Sequence, residues 1–225
     1  MSIMKVPTLG DDIMELKGLK INFLGDSITE GCGTSDFATK AYHAQLATNT
    51  GAICRNYGVG GTRIARQRGV SDPARHDLDF ILREKDMDRD ADMVVVFGGT
   101  NDFGHGDAKF GTFSDRDIYT FYGAMHTLIN NIIEDFPRAT IVFMTPLHRL
   151  VEEAHDGKPC LEEYAKAIKE ICKFYSIPVL DLYSCASIQP KVDIQRQLYM
   201  PDGLHPNDDG AKIIASRLEG FLRSL

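Results

Sequence analysis

Asp92-Met93-Val94-Val95-Val96-Phe97-Gly98 holds a continuous apolar run, Met93 to Phe97, and ends in glycine. No polar residue alternates within it. A strand of this kind has both faces covered, as strands in parallel sheets do. Similar runs flank it. Lys20-Ile21-Asn22-Phe23-Leu24 predicts a strand over 19–25, and Ile53 to Tyr57 a shorter one. Downstream, Ala139 to Thr145 and Ile177 to Leu182 complete a set of five.

Helical patterns fall between these runs. Ser35 or Thr39 is placed to cap a helix through Leu46, closed by Gly51. Asp72-Pro73 opens a second helix with Leu78, Ile81 and Leu82 as its apolar face. Ile118, Phe121, Met125, Leu128, Ile129 and Ile132 recur at helical spacing and predict a helix over Asp117 to Asp135. Leu161, Ala165, Ile168, Cys172 and Tyr175 mark a fourth helix. Asn207 or Asp208 caps a last one through Ile214, Leu218 and Phe221.

Strand-helix alternation repeated five times predicts an α/β fold, a five-stranded parallel sheet with helices on both faces. Residues 19–225 read as one domain, preceded by an irregular lead-in at 1–18. Ligands of such sheets bind beyond the carboxyl ends of the strands. Ser27 and the loops at 58–62, 99–114, 146–159 and 184–206 should therefore face one region.

Composition narrows the function. The chain has 225 residues and a net charge of -7. It has no cluster of Lys and Arg, which argues against nucleic acid and against a polybasic membrane anchor. Its N-terminus shows no long apolar segment, and its apolar runs are too short to span a bilayer. The five cysteines, Cys32, Cys54, Cys160, Cys172 and Cys185, form no Cys-x-x-Cys pair. Reduced thiols and a cytoplasmic location are the expectation.

Four short stretches carry chemistry. Gly25-Asp26-Ser27-Ile28-Thr29-Glu30-Gly31 offers a serine just past the first strand. A hydroxyl needs a base, an orienting carboxylate and oxyanion donors to act as a nucleophile. Alone, the stretch also suits an ordinary turn. Asn56-Tyr57-Gly58-Val59-Gly60-Gly61-Thr62 lets backbone N–H groups approach a ligand, or simply turns tightly. In Gly98-Gly99-Thr100-Asn101-Asp102 the Asn101 amide can donate to an oxyanion or form a local turn. In Asp202-Gly203-Leu204-His205-Pro206, a carboxylate three residues before an imidazole can accept from Nδ1 and leave Nε2 as base. An exposed helix-entry turn is the other reading.

In this order the four stretches resemble the consensus blocks of the SGNH (GDSL-like) hydrolase family, over the chain from about 20 to the end. The resemblance implies a three-layer flavodoxin-like fold and esterase or acylhydrolase chemistry without a cofactor or a metal. It implies Ser27 as nucleophile, His205 as general base and then acid, and Asp202 as its orienting partner. The oxyanion hole would be the N–H of Ser27, the N–H of Gly61 and the side chain of Asn101. Family spacing from Asn56 points to Gly61, with Gly60 as the competing neighbour.

Other residues receive lesser roles. Asp26 reads as a hydrogen-bonding turn residue. His105 and Asp107 are a poor metal pair without a third ligand. Phe103 and His105 suit a lid or substrate contact. His148 and Arg149 read as surface loop residues, Arg63 and Arg66 as solvated arginines or an anion attractor, and Cys32 as a packed side chain. His43, His76 and His126 fall in expected helices and are assigned no chemistry. The expected substrate is a small ester, with an O-acetylated carbohydrate slightly favoured because no run of exposed apolar residues suggests lipid docking. A lysophospholipid or thioester is the alternative within the family. A non-catalytic flavodoxin-like binding module is the alternative outside it, though neither glycine loop fits a phosphate-binding pattern.

Overall fold

The computed structural model describes residues 13–225. Most of the expected lead-in at 1–18 lies outside the described residues. Five strands form one all-parallel sheet: β1 (Lys20–Gly25), β2 (Ile53–Gly58), β3 (Met93–Phe97), β4 (Thr140–Met144) and β5 (Val179–Leu180). Their spatial order is β2-β1-β3-β4-β5. The register brings Gly25 opposite both Gly58 and Phe97. The loops after β1, β2 and β3 therefore leave the sheet side by side.

The alternation of side chains across a strand explains the apolar runs. Val94 and Val96 join one buried layer with Leu24, Phe143 and the helices α6 (Phe121–Asp135) and α7 (Leu161–Phe174). Met93, Val95 and Phe97 join the opposite layer with Ile21, Phe23 and the helices α3 (Tyr42–Thr50) and α10 (Asp208–Arg223). The result is the three-layer flavodoxin-like sandwich. Among the described residues, no helix is long and apolar enough to cross a membrane.

Several boundaries differ from the expectation. The first helix is broken in two, with α1 (Ser27–Glu30) and α2 (Phe37–Lys40) preceding α3. Asp36, not Ser35 or Thr39, caps α2 by accepting from the Ala38 N–H. Ala41 then takes an extended ψ of 149° that interrupts the helix. The stretch after Pro73 is a 3-10 turn (Ala74–Asp77) followed by the short α4 (Phe80–Arg83). Leu78 and Leu82 are exposed, while Phe80 and Ile81 are buried. A capping Asp79 starts the helix and turns a different face inward. The loop at 99–114 opens with α5 (Thr100–Gly104), and the segment at 182–206 contains α8 (Leu182–Cys185) and α9 (Asp193–Tyr199).

Candidate active site

Ser27 is the first residue of α1, where a backbone N–H has no intrahelical acceptor. The turn is forced by its neighbours. A Cβ on Gly25 would lie 2.0 Å from Thr29 Oγ1, so the strand must end in glycine for α1 to fold back on it. Asp26 caps α1 by accepting from the Ile28 N–H at 3.0 Å. Burial pushes the Asp26 carboxyl up to about 7, against the pull of the Ile28 hydrogen bond. The Ser27 carbonyl accepts from the Gly31 and Cys32 N–H groups. The serine backbone is thus fixed, and only 8% of the residue is exposed.

The Ser27 hydroxyl donates to His205 Nε2 at 3.0 Å. His205 Nδ1–H donates to Asp202 Oδ2 at 2.7 Å, which fixes the tautomer that leaves Nε2 as acceptor. Asp202 Oδ1 also accepts from the N–H groups of Leu204 and His205. Burial alone would raise Asp202, but these hydrogen bonds outweigh it and hold the carboxyl below its ordinary value. The segment after α1 packs against this turn and the start of α10. A Cβ on Gly33 would meet the Pro206 carbonyl at 2.6 Å, and the Ser35 N–H and hydroxyl both donate to Asp208.

The glycine loop after β2 borders the same serine, with a Cβ on Gly60 falling 3.5 Å from Ser27 Cβ. The Gly60 N–H is committed to Glu30 Oε2 at 2.9 Å. Among the described residues, no acceptor engages the Gly61 N–H. Gly61 has a φ of +78°, a conformation that favours glycine. In α5, Asn101 is buried, and one Nδ2 hydrogen donates to the Thr62 carbonyl at 3.0 Å. That bond orients the amide and leaves its second hydrogen free.

Three further residues hold these loops in place, and the sequence reading missed them. Buried Arg83 donates to the carbonyls of Gly25 and Tyr57 and to Thr62 Oγ1. It ties the end of β1 to the end of β2 and to the glycine loop. Burial lowers its guanidinium to about 10. The Asp102 carboxylate accepts from the Ile64 and Ala65 N–H groups at 3.0 and 2.8 Å, joining α5 to the segment after the glycine loop. Lys158 Nζ donates to the Asp102 and His105 carbonyls at the end of α5. Only Asp102 lay in a stretch already singled out. Arg83 and Lys158 act on backbone carbonyls far away in sequence and leave no local signal.

The structure places the residues given lesser roles and corrects those of Phe103, Arg63, Arg66 and His76, while His43 and His126 lie in helices as expected. Phe103 is fully buried against His155 and Tyr164, so it is a core residue and no lid. Arg63 is only 2% exposed and is not solvated. Arg66 pairs with Asp79 at 2.8 Å. His148 is held by Glu152 at 3.0 Å and stacks on Tyr183. His76 lies in the 3-10 turn against the glycine loop, away from any long helix. His43 donates to the Thr29 carbonyl, and His126 lies between Phe113 and Tyr175. Asp107 accepts from the Arg68 and Gly69 N–H groups. Among the described residues, no three His, Cys, Asp or Glu side chains converge as metal ligands.

The chain is similar to known proteins in sequence pattern and fold. No curated protein matches the chain by sequence. One solved structure shares 33% identity, covers 94% of this chain and 99% of its own, and superposes with a TM-score of 0.82. A protein from Lactobacillus plantarum shares 30% identity over 92% of this chain and 98% of its own, with a TM-score of 0.79. An acetylxylan esterase from Geobacillus stearothermophilus has the same fold at 19% identity, with 91% and 94% covered and a TM-score of 0.56. The sequence pattern of the GDSL-like Lipase/Acylhydrolase family matches residues 23–213, a span that starts in β1 and ends within α10. It takes in the serine, the glycine loop, α5 and the histidine turn, and the chain is an ester hydrolase of that family.

Proposed function

We propose that this enzyme is a serine esterase that removes acetyl groups from O-acetylated carbohydrate through an acyl-enzyme. The observation that carries the catalytic reading is the unbroken chain from Ser27 Oγ to His205 Nε2 and from His205 Nδ1 to Asp202. His205 takes the Ser27 proton as Oγ bonds to the ester carbonyl carbon. The carbonyl oxygen becomes an oxyanion, held by the N–H groups of Ser27 and Gly61 and by the free Asn101 Nδ2 hydrogen. The C–O bond to the alcohol then breaks, and the alcohol leaves with the proton from His205. Water, deprotonated by His205, attacks the acyl carbon and releases acetate and Ser27. Gly61 is assigned over Gly60 because the Gly60 N–H already has an acceptor.

The carbohydrate reading rests on two supports. An acetylxylan esterase shares the fold, and His76, His105 and Arg75, which border the site, are polar. All five cysteines are free thiols, which suits a cytoplasmic enzyme.

A second reading is favoured by one observation that the sequence did not suggest. Leu150 and Val151, next to the histidine turn, and Val192, Ile194 and Leu198, around α9, are all exposed. Lys191 joins these two segments through Glu152 and Glu153. Such a face suits the docking of a lysophospholipid.

A serine-directed fluorophosphonate should label the wild type and leave Ser27→Ala unlabelled. The wild type should release acetate from p-nitrophenyl acetate and acetylated xylo-oligosaccharide, and Ser27→Ala from neither. Wild-type rates in Ser27→Ala would remove the serine from the mechanism. Fatty acid released from lysophospholipid faster than acetate from the oligosaccharide would favour the second reading.

A further inference from the structure

Arg63, two residues past Gly61, is a guanidinium buried to 2% exposure that none of the steps above uses. A buried charge is costly unless its partners are well placed. Arg63 Nη2 donates to Asp77 at 3.0 Å, to Ser71 Oγ and to the His76 carbonyl at 3.2 Å. Its Nη1 donates to His105 Nδ1 at 2.7 Å. One cation thus holds two histidines, His76 by its backbone and His105 by its ring.

Both rings border the oxyanion donors. A Cβ on Gly61 would lie 2.1 Å from the His76 ring, so the imidazole is pressed against that glycine. The His76 and His105 ring centroids are 5.5 Å apart. His105 ends the short helical turn that contains Asn101, its N–H donating to the Asn101 carbonyl at 2.9 Å. Burial, and then the neighbouring Arg63, lower His105 to about 4, and His76 is lowered for the same reasons in the same order. Because Nδ1 of neutral His105 accepts from Arg63, its Nε2 carries the hydrogen. No acceptor among the described residues engages that N–H.

At the tetrahedral carbon, the leaving oxygen must point to His205 to receive its proton. The oxyanion must point to Gly61 and Asn101. The acyl substituent takes the direction left over, away from the His205 turn; the oxyanion donors do not face it, but the side chains that flank them can. We infer that His76 and His105, held by Arg63, form the wall of the acyl side and limit the acyl group to about the size of acetyl. The inference rests on the catalytic reading of Ser27, Gly61 and Asn101 given above. The wall acts in two ways. The His76 ring occupies the space that a longer chain needs, and an alkyl chain laid over the His105 N–H would bury a donor without an acceptor, which costs about 1–3 kcal/mol.

The test is a series of p-nitrophenyl esters from acetate to octanoate, on wild type, His76→Ala, His105→Leu and Arg63→Gln. The readout is the ratio of kcat/KM for hexanoate over acetate. This ratio cancels any loss of folded or active enzyme, so a poorly folding variant still reports. Wild type should favour acetate by at least about tenfold, as expected when a pocket must exclude several methylenes. His76→Ala should raise the ratio at least about fivefold, with His105→Leu and Arg63→Gln moving it the same way. A wild type that hydrolyses every chain length equally, or a ratio that stays within about twofold in all three variants, overturns the wall. Failure of wild type to hydrolyse any ester in the series would instead overturn the esterase mechanism itself.

Discussion

At the scale of single residues, burial and exposure set how much each group of the proposed site should matter. Asn101 is buried and its amide is oriented by the Thr62 carbonyl, so its free hydrogen is held in place before any charge develops. Removal of one such donor typically costs about a hundred- to a thousandfold in rate. Asn101→Ala should therefore lower kcat by about that factor with KM little changed, as steady-state kinetics on p-nitrophenyl acetate would show. Unchanged kcat would take Asn101 out of the oxyanion hole. Asp202 is the opposite case, because its side chain is 54% exposed. Water competes for its role, and two of its hydrogen bonds serve its own turn. Asp202→Asn should cost about ten- to a hundredfold, and His205→Ala more than about a thousandfold, following the unequal weight of triad members. Equal losses in the two variants would contradict this ordering.

At the scale of elements, loops are positioned by groups that reach across the sheet. Arg83, from α4, satisfies acceptors on β1, β2 and the glycine loop together. Arg83→Met would take its donor from the Tyr57 carbonyl and from Thr62 Oγ1, and would leave the Gly25 carbonyl only the Val59 N–H, at a cost of about 2 kcal/mol. It should lower the urea midpoint and also kcat, because the Gly61 N–H loses its anchor. A variant with wild-type stability and turnover would show that the glycine loop is held by other means. The same contrast explains what was legible in the sequence. The strands follow from apolar runs, most clearly β3, which is buried along its whole length, and Ser27 and Asn101 lie just past strand ends that those runs define, whereas Asp202 and His205 lie beyond α9 in the turn before α10. Elements set by distant partners were misread. The stretch at 72–83 looks like one amphipathic helix, but Asp79 caps a new helix there and Asp77 turns back to Arg63 and Ser71. His76 sits in the resulting turn, so its place beside Gly61 had no periodic signal. Arg63 likewise reads as a surface arginine until its partners at 71, 76, 77 and 105 are brought together by the fold.

At the scale of the whole molecule, folding buries ionisable groups behind the Ser27 turn, and their effects on stability oppose one another. His43 is buried under α1 and donates to the Thr29 carbonyl; burial lowers it to about 4. Between pH 6.5 and about 4 the unfolded chain binds a proton there that the folded chain refuses, so stability falls as pH falls through this window. His105, lowered to about 4, acts in the same direction. Asp26 acts in the other. Burial raises it to about 7, with the nearby Asp102 adding to the rise and Arg83 opposing it. Between about pH 4 and 7 the folded chain holds a proton that the unfolded chain has released, so stability falls as pH rises. The wild-type profile should therefore be flatter in this range than the histidines alone would make it. Asp26→Asn keeps an oxygen to accept from the Ile28 N–H and removes only the titration. It should leave stability near wild type at pH 4 and raise it by about 4 kcal/mol at pH 8, since each tenfold change in proton affinity is worth about 1.4 kcal/mol. Its acid side should become steeper, because the histidine slope is then unopposed. Urea unfolding of both proteins at about pH 4.5, 6 and 8 measures the difference directly. A difference that does not grow with pH would mean that Asp26 ionises normally in the fold, and that Arg83 and the Ile28 N–H stabilise its carboxylate fully despite its burial.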